Sequence, residues 1–122
     1  ENKVNLLGNK TDVETYYNES SIFVFSSRFE DFPNALTEAM YFGLPCISTD
    51  CPSGPSELIK DGINGFLTPV ENQQALEKKL QNLMDDASLR EMLSKNAIKS
   101  TEEFQSEIIA NHWKSIINKL LN

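Results

Sequence analysis

The segment FEDFPNALTEAM, Phe29 to Met40, sets Glu30 and Glu38 in an E-x7-E spacing around a Phe-Pro-Asn turn. Pro33 suits the first turn of a helix, and Ala35, Leu36, Ala39 and Met40 then recur at helical spacing until Gly43. One carboxylate thus precedes a helix start and the other lies inside the helix. A helix start presents unpaired backbone N–H groups and the positive end of a dipole, which together hold a phosphate. Pro33 has no N–H to give, so the donors fall to Asn34, Ala35 and Leu36. An ionised glutamate only accepts hydrogen bonds, so Glu30 and Glu38 suit hydroxyl groups and not the phosphate itself. A ligand with hydroxyls at both ends and a diphosphate between them, a nucleotide-sugar, has this layout. The spacing alone leaves a plainer alternative open: a glutamate before a helix complements its dipole, and one within a helix is often a solvated side chain.

The elements around this segment read as alternating strands and helices. Val4 to Leu7 is a short strand-like apolar run, and Val13, Tyr16 and Tyr17 predict a short helix after Thr11. Ser21 to Phe25, SIFVF, and Leu44 to Ser48, LPCIS, read as strands buried on both faces. Gly54-Pro55-Ser56-Glu57 opens a short helix to about Lys60, Asp61-Gly62 ends it, and Asn64-Gly65 turns into a strand at Phe66 to Thr68. From Asn72 the pattern is helical. Leu76, Leu80 and Leu83 share a face, Ser88-Leu89-Arg90-Glu91 reads as a capping box opening a helix with Leu89, Met92 and Leu93, and a last helix starts near Ser106. That helix carries Ile108, Ile109, Trp113, Ile116, Ile117 and Leu120, more apolar surface than so small a sheet covers. Buried strands alternating with helices predict an α/β fold: a Rossmann-like doubly wound parallel sheet with a helical C-terminal tail. In such sheets ligands bind beyond the carboxyl ends of the strands, and FEDFPNALTEAM follows the strand SIFVF directly.

Composition narrows the function classes. The 122 residues suffice for one domain, with 39% hydrophobic and 24% charged residues, as in a soluble globular protein. The net charge of −7, with only Lys3, Lys10 and Arg28 basic before residue 60, argues against nucleic acid as a partner and against membrane contact through this segment. No apolar run reaches the length of a membrane span, and no signal segment opens the chain. Cys46 and Cys51 form no C-x-x-C pair and read as reduced thiols. His112, the single histidine, has no metal-ligand partner at suitable spacing. The start at Glu1 without an initiator Met reads as a piece of a larger protein.

The run FEDFPNALTEAMYFGLPCISTDCPSGPSELIKDGINGFL resembles the signature region of glycosyltransferase family 4, retaining enzymes with the GT-B fold that use nucleotide-sugars. The E-x7-E motif, the small-residue helix ending in Gly-Leu-Pro, the Gly-Pro loop before a Glu, and the Asp-Gly-x-Asn-Gly-Phe-Leu turn match in order, from about Ser21 to Pro69. The resemblance implies that residues 1–122 are part of a C-terminal nucleotide-sugar-binding domain, with 72–122 its helical tail and the N-terminal acceptor domain lying elsewhere. It implies a catalytic Glu30 facing the donor sugar's hydroxyls and Glu38 on the ribose diol, with backbone amides at Phe32, Asn34, Ala35 and Leu36 on the diphosphate and sugar. Arg28 is the local candidate for a phosphate contact, against the alternative of a surface ion pair. Asp31 stands where the family often has Gly, which narrows the backbone options and adds negative charge near the phosphates. Ser53, Gly54 and Pro55 either line the pocket or only cap a helix, and Glu57 reads as structural.

By the same resemblance no cofactor and no metal is expected, because amides, a helix dipole and basic side chains serve the diphosphate. The expected partners are a nucleotide-sugar donor, with UDP favoured, and a glycan or lipid-linked acceptor bound by the other domain. The expected setting is cytoplasmic, peripheral at the inner face of the cell membrane, in polysaccharide biosynthesis. The segment alone is expected to be inactive and to self-associate through its tail. Two alternatives stay open: a GT-B-like epimerase or phosphorylase, and a non-catalytic nucleotide-sugar-binding module.

Overall fold

The computed structural model describes residues 3–121, with the side chains of residues 104, 106–109, 111 and 112 outside that description. Three parallel strands, β1 (Phe23–Phe25), β2 (Cys46–Thr49) and β3 (Phe66–Thr68), form a sheet in the order β1-β2-β3. Val24 pairs with Ile47, which pairs with Phe66, so one row of side chains crosses all three strands. Five helices surround the sheet: α1 (Val13–Glu19), α2 (Asn34–Tyr41), α3 (Pro55–Leu58), α4 (Gln73–Asp85) and α5 (Ala87–Leu121). The connections from β1 through α2 to β2, and from β2 through α3 to β3, are the crossovers that parallel pairing demands.

Each sheet face has its own core. On one, Leu36, Ala39 and Met40 of α2 and Leu58 of α3 pack on Leu44, Cys46 and Ile59, flanked by Tyr17, Phe23, Phe25 and Leu67. On the other, Leu83 of α4 and Leu93 of α5 pack on Ile47 and Phe66, flanked by Ile22, Leu76, Leu80 and Leu89. The fold is therefore the expected Rossmann-like α/β arrangement with helices on both faces. Ala97, one turn beyond Leu93, belongs to the first core, so α5 links the two layers. Gly43, at φ +78°, lets α5 come close, since a Cβ there would sit 2.9 Å from Ile98 Cδ1 and 3.2 Å from Ser94 Oγ. Asn64 ties the same helix to the loop before β3: its Oδ1 accepts from the Lys60 N–H at 2.7 Å, and its Nδ2 donates to the Leu58 carbonyl and Ser100 Oγ.

Four expectations change. Val4 to Leu7 forms no strand, and Leu6 is 95% exposed; a strand needs a ladder partner, and β1 pairs only with β2 among the described residues. β1 is accordingly an edge strand and not doubly buried, with Val24 38% exposed because α4 covers β2 and β3. The helical tail is α4 plus one unbroken α5 of 35 residues, about 52 Å long at 1.5 Å per residue, and no separate helix begins at Ser106. No Gly or Pro interrupts residues 87–121, so nothing stops the helix. Its start is capped by Asp86, whose carboxylate accepts the Leu89 N–H at 3.0 Å, while Ser88 is already helical. Toward the end of α5, Trp113 (59% exposed), Ile117, Leu120 and Leu121 face solvent. The side chains of Ser106, Ile108, Ile109 and His112 lie outside the described residues.

Candidate functional site

The loop after β1 is fastened at both ends. The Thr49 hydroxyl at the carboxyl end of β2 donates to the Ser27 carbonyl, and the Ser27 hydroxyl donates to Glu30 Oε1 at 2.8 Å. Glu30 is half-buried and held in place before the helix. Pro33 is fully buried, with φ −82° and ψ 75°, the inverse γ-turn region, and the Asn34 N–H accordingly donates to the Phe32 carbonyl at 3.0 Å. The Pro33 carbonyl then takes the Thr37 N–H at 3.1 Å and the Thr37 hydroxyl at 3.2 Å, which closes the first turn of α2.

This settles where the free donors at the helix entrance lie. The Asn34 amide is occupied by the turn, whereas the amides of Phe32, Ala35 and Leu36 have no acceptor among the described residues. No acid sits in the first turn of α2 and no side chain caps it, so its positive end is uncompensated within the helix. Asp31 is exposed beside it. Gly54 holds the turn from the other side. Its φ of +116° suits glycine, and a Cβ there would lie 2.6 Å from Pro33 Cδ. The Ser53-Gly54-Pro55 loop thus packs against the helix entrance as well as opening α3.

Glu38 lies on the exposed surface of α2, one turn beyond the free amides. The Tyr17 hydroxyl of α1 donates to its Oε2 at 3.0 Å. Burial of the phenol, and then the bond to Glu38 and its charge, push Tyr17 up to about 12. Spacing gives no hint of this contact, because Tyr17 reads only as an apolar position of a short helix.

Arg28 makes no bond to Glu30, Glu38 or the amides at the helix entrance among the described residues. It forms an ion pair with Glu71 at 3.4 Å, both side chains mostly exposed, the surface pairing that was its alternative reading. The pair sits on a pocket of about 450 Å³ lined also by Ser26, Thr49, Pro69 and the start of α4. None of Glu30, Phe32, Asn34, Ala35, Leu36 or Glu38 lines that pocket. Cys46 and Cys51 are buried free thiols, and burial pushes Cys46 up to about 12.

The sequence and the α/β fold both have counterparts among known proteins. The model of the glycosyl transferases group 1 family matches residues 1–100. The chain belongs to that family. A Campylobacter jejuni α-1,4-N-acetylgalactosaminyltransferase, named for its undecaprenol-linked substrate, is 31% identical over 120 residues, covering 98% of this chain and 33% of its own length. The amylovoran biosynthesis glycosyltransferase AmsD of Erwinia amylovora is 30% identical over 106 residues, covering 87% of this chain and 30% of its own. Among solved structures, Anabaena HepE in complex with UDP and glucose superposes with a TM-score of 0.83 at 26% identity, over 94% of this chain and 33% of HepE. This group 1 chain spans about a third of the length of the curated relatives it matches. Both curated relatives carry the names of sugar-transferring enzymes.

Proposed function

We propose that the chain forms the donor-binding part of a retaining family 4 glycosyltransferase that moves a sugar from a nucleotide diphosphate, UDP favoured, to a glycan or lipid-linked acceptor. The observation that carries this reading is the entrance to α2, where the amides of Phe32, Ala35 and Leu36 stand free between two carboxylates that neighbouring hydroxyls hold in place. In this reading those amides and the helix dipole take the diphosphate. Breaking the bond between the sugar's anomeric carbon and the diphosphate leaves charge on the phosphate oxygens, and preorganised N–H groups stabilise that charge most as it develops. Asn34 contributes the turn that aims its neighbours, its own amide being used there.

Glu30, with Oε1 held by Ser27, is the catalytic residue that accepts hydroxyls of the transferred sugar, and Glu38 accepts those of the ribose. Arg28 would reach a phosphate only by leaving Glu71, an exchange that an exposed pair permits at small cost. The reading needs no metal ion or other cofactor, because amides, dipole and basic side chains balance the diphosphate. The undecaprenol-linked substrate named for the Campylobacter relative and the amylovoran pathway of the Erwinia one support a surface-polysaccharide setting, cytoplasmic and at the inner face of the membrane. No described helix is long and apolar enough to cross a membrane. The apolar end of α5 is the surface through which isolated copies would self-associate, and sedimentation checks that.

The test separates the two glutamates in the full-length enzyme. Glu38→Ala is expected to weaken both the donor and free UDP, whereas Glu30→Ala lowers kcat and leaves UDP binding intact. Equal loss of UDP affinity in both variants overturns the assignment, and inversion at the anomeric carbon of the product overturns the retaining mechanism.

A further inference from the structure

Glu38 is an exposed glutamate with several rotatable bonds, so by itself it would present a blurred acceptor to any ligand. The Tyr17 hydroxyl removes that freedom. Its ring is wedged against Phe42, with centroids 5.3 Å apart and planes at 27°, and edge-on against Phe23 at 6.0 Å. Phe42 caps the far end of α2 and Phe23 begins β1, so the phenol is fixed relative to both the helix bearing Glu38 and the sheet. Tyr17 and Glu38 are 21 residues apart in sequence, and their 3.0 Å bond is a tertiary contact.

The direction of the bond matters. The groups acting on the phenol are its buried surroundings, Glu38 and Cys46, and all of them favour the protonated form. Tyr17 therefore stays a donor at neutral pH and Glu38 stays the acceptor. One lone pair of Oε2 is used, while Oε1 has no protein partner among the described residues. A carboxylate held by one oxygen, with the other free, offers adjacent hydroxyls a fixed target.

We propose that Tyr17 is a positioning residue for the nucleotide's ribose: by holding Glu38 Oε2 it aims Oε1 at the ribose hydroxyls and sets a preference for ribonucleotide over 2′-deoxyribonucleotide donors. This rests on the reading in which Glu38 takes the ribose. The probes are UDP and 2′-deoxy-UDP, titrated by calorimetry into the full-length enzyme, its Tyr17→Phe variant and its Glu38→Ala variant. Tyr17→Phe keeps both ring contacts and deletes only the hydroxyl. Wild type is expected to favour UDP by about tenfold, the scale of one hydrogen bond to a charged group. Tyr17→Phe should weaken UDP by about fivefold and 2′-deoxy-UDP by less than about twofold, raising the donor KM while kcat at saturation holds. Equal weakening of both nucleotides, or no weakening, with Glu38→Ala still impaired, overturns the role of Tyr17 and leaves that of Glu38 standing. No binding of either nucleotide by wild type, or UDP affinity unchanged in Glu38→Ala, overturns the ribose reading and this proposal with it.

Discussion

Replacing Gly54 by alanine perturbs the candidate site without touching any residue assigned to a ligand. The substitution acts twice. At φ +116° an L-residue is strained, at about 1–3 kcal/mol. The added methyl would also lie 2.6 Å from Pro33 Cδ and 3.2 Å from its Cγ, well inside contact distance. Pro33 is a rigid ring, fully buried, and cannot rotate away, so relief requires the turn or the loop to shift, at about 1–3 kcal/mol for overpacking. The sum, about 2–6 kcal/mol, is a large part of the stability of an ordinary domain. Gly62→Ala is the comparison, because Gly62, at φ +79°, lies nearer the left-handed region that L-residues occupy at lower cost and has nothing within 4 Å of the added atom, leaving only that smaller strain. Urea unfolding followed by circular dichroism measures both. Gly54→Ala should lie below Gly62→Ala by about 1–3 kcal/mol, and equal losses would refute the claim that the glycine loop braces the helix entrance.

Two further outcomes follow from buried groups. Asn64→Ala removes three hydrogen bonds at a buried site and leaves the Lys60 N–H and the Leu58 carbonyl without partners, so urea unfolding should show a loss of about 2–4 kcal/mol. Cys46 has its pKa raised from 9.0 to about 12 by burial, so the unfolded chain sheds the thiol proton first: its contribution is intact below pH 9 and declines by about 1.4 kcal/mol per unit from there toward 12. Cys46→Ala should flatten stability between pH 9 and 10, where an unchanged slope would contradict the assignment.

What was legible in the sequence is what one segment states by itself. LPCIS is an unbroken apolar run and became the central, fully buried β2, and Pro33 and Asn72 mark the starts of α2 and α4 because their local chemistry suits helix entrances. Misread features depend on neighbours. Val4 to Leu7 has strand composition but pairs with no strand among the described residues, and SIFVF looks doubly buried until the sheet ends beside it. The break placed near Ser106 rested on a change in the apolar stripe, although no residue there can stop a helix. At the site, the E-x7-E spacing and the run of amides could be read along the chain. The loss of the Asn34 amide to its own turn, the Arg28–Glu71 pair and the Tyr17–Glu38 bond could not, because a spacing carries no information on backbone torsions or tertiary partners.

The central claim, that the entrance to α2 receives the diphosphate of a nucleotide-sugar, can be tested directly by amide-resolved NMR of the ¹⁵N-labelled chain titrated with UDP. For a chain that spans about a third of the length of its curated relatives, affinity is expected on the order of millimolar, and chemical-shift mapping reads such binding well. The amides of Phe32, Ala35 and Leu36 are expected to move most, Asn34 less because its N–H stays with the Phe32 carbonyl, and Ser26, Gln73 and Leu76 around the neighbouring pocket to stay in place. Shifts concentrated on Ser26, Gln73 and Leu76, with Ala35 and Leu36 still, would contradict it.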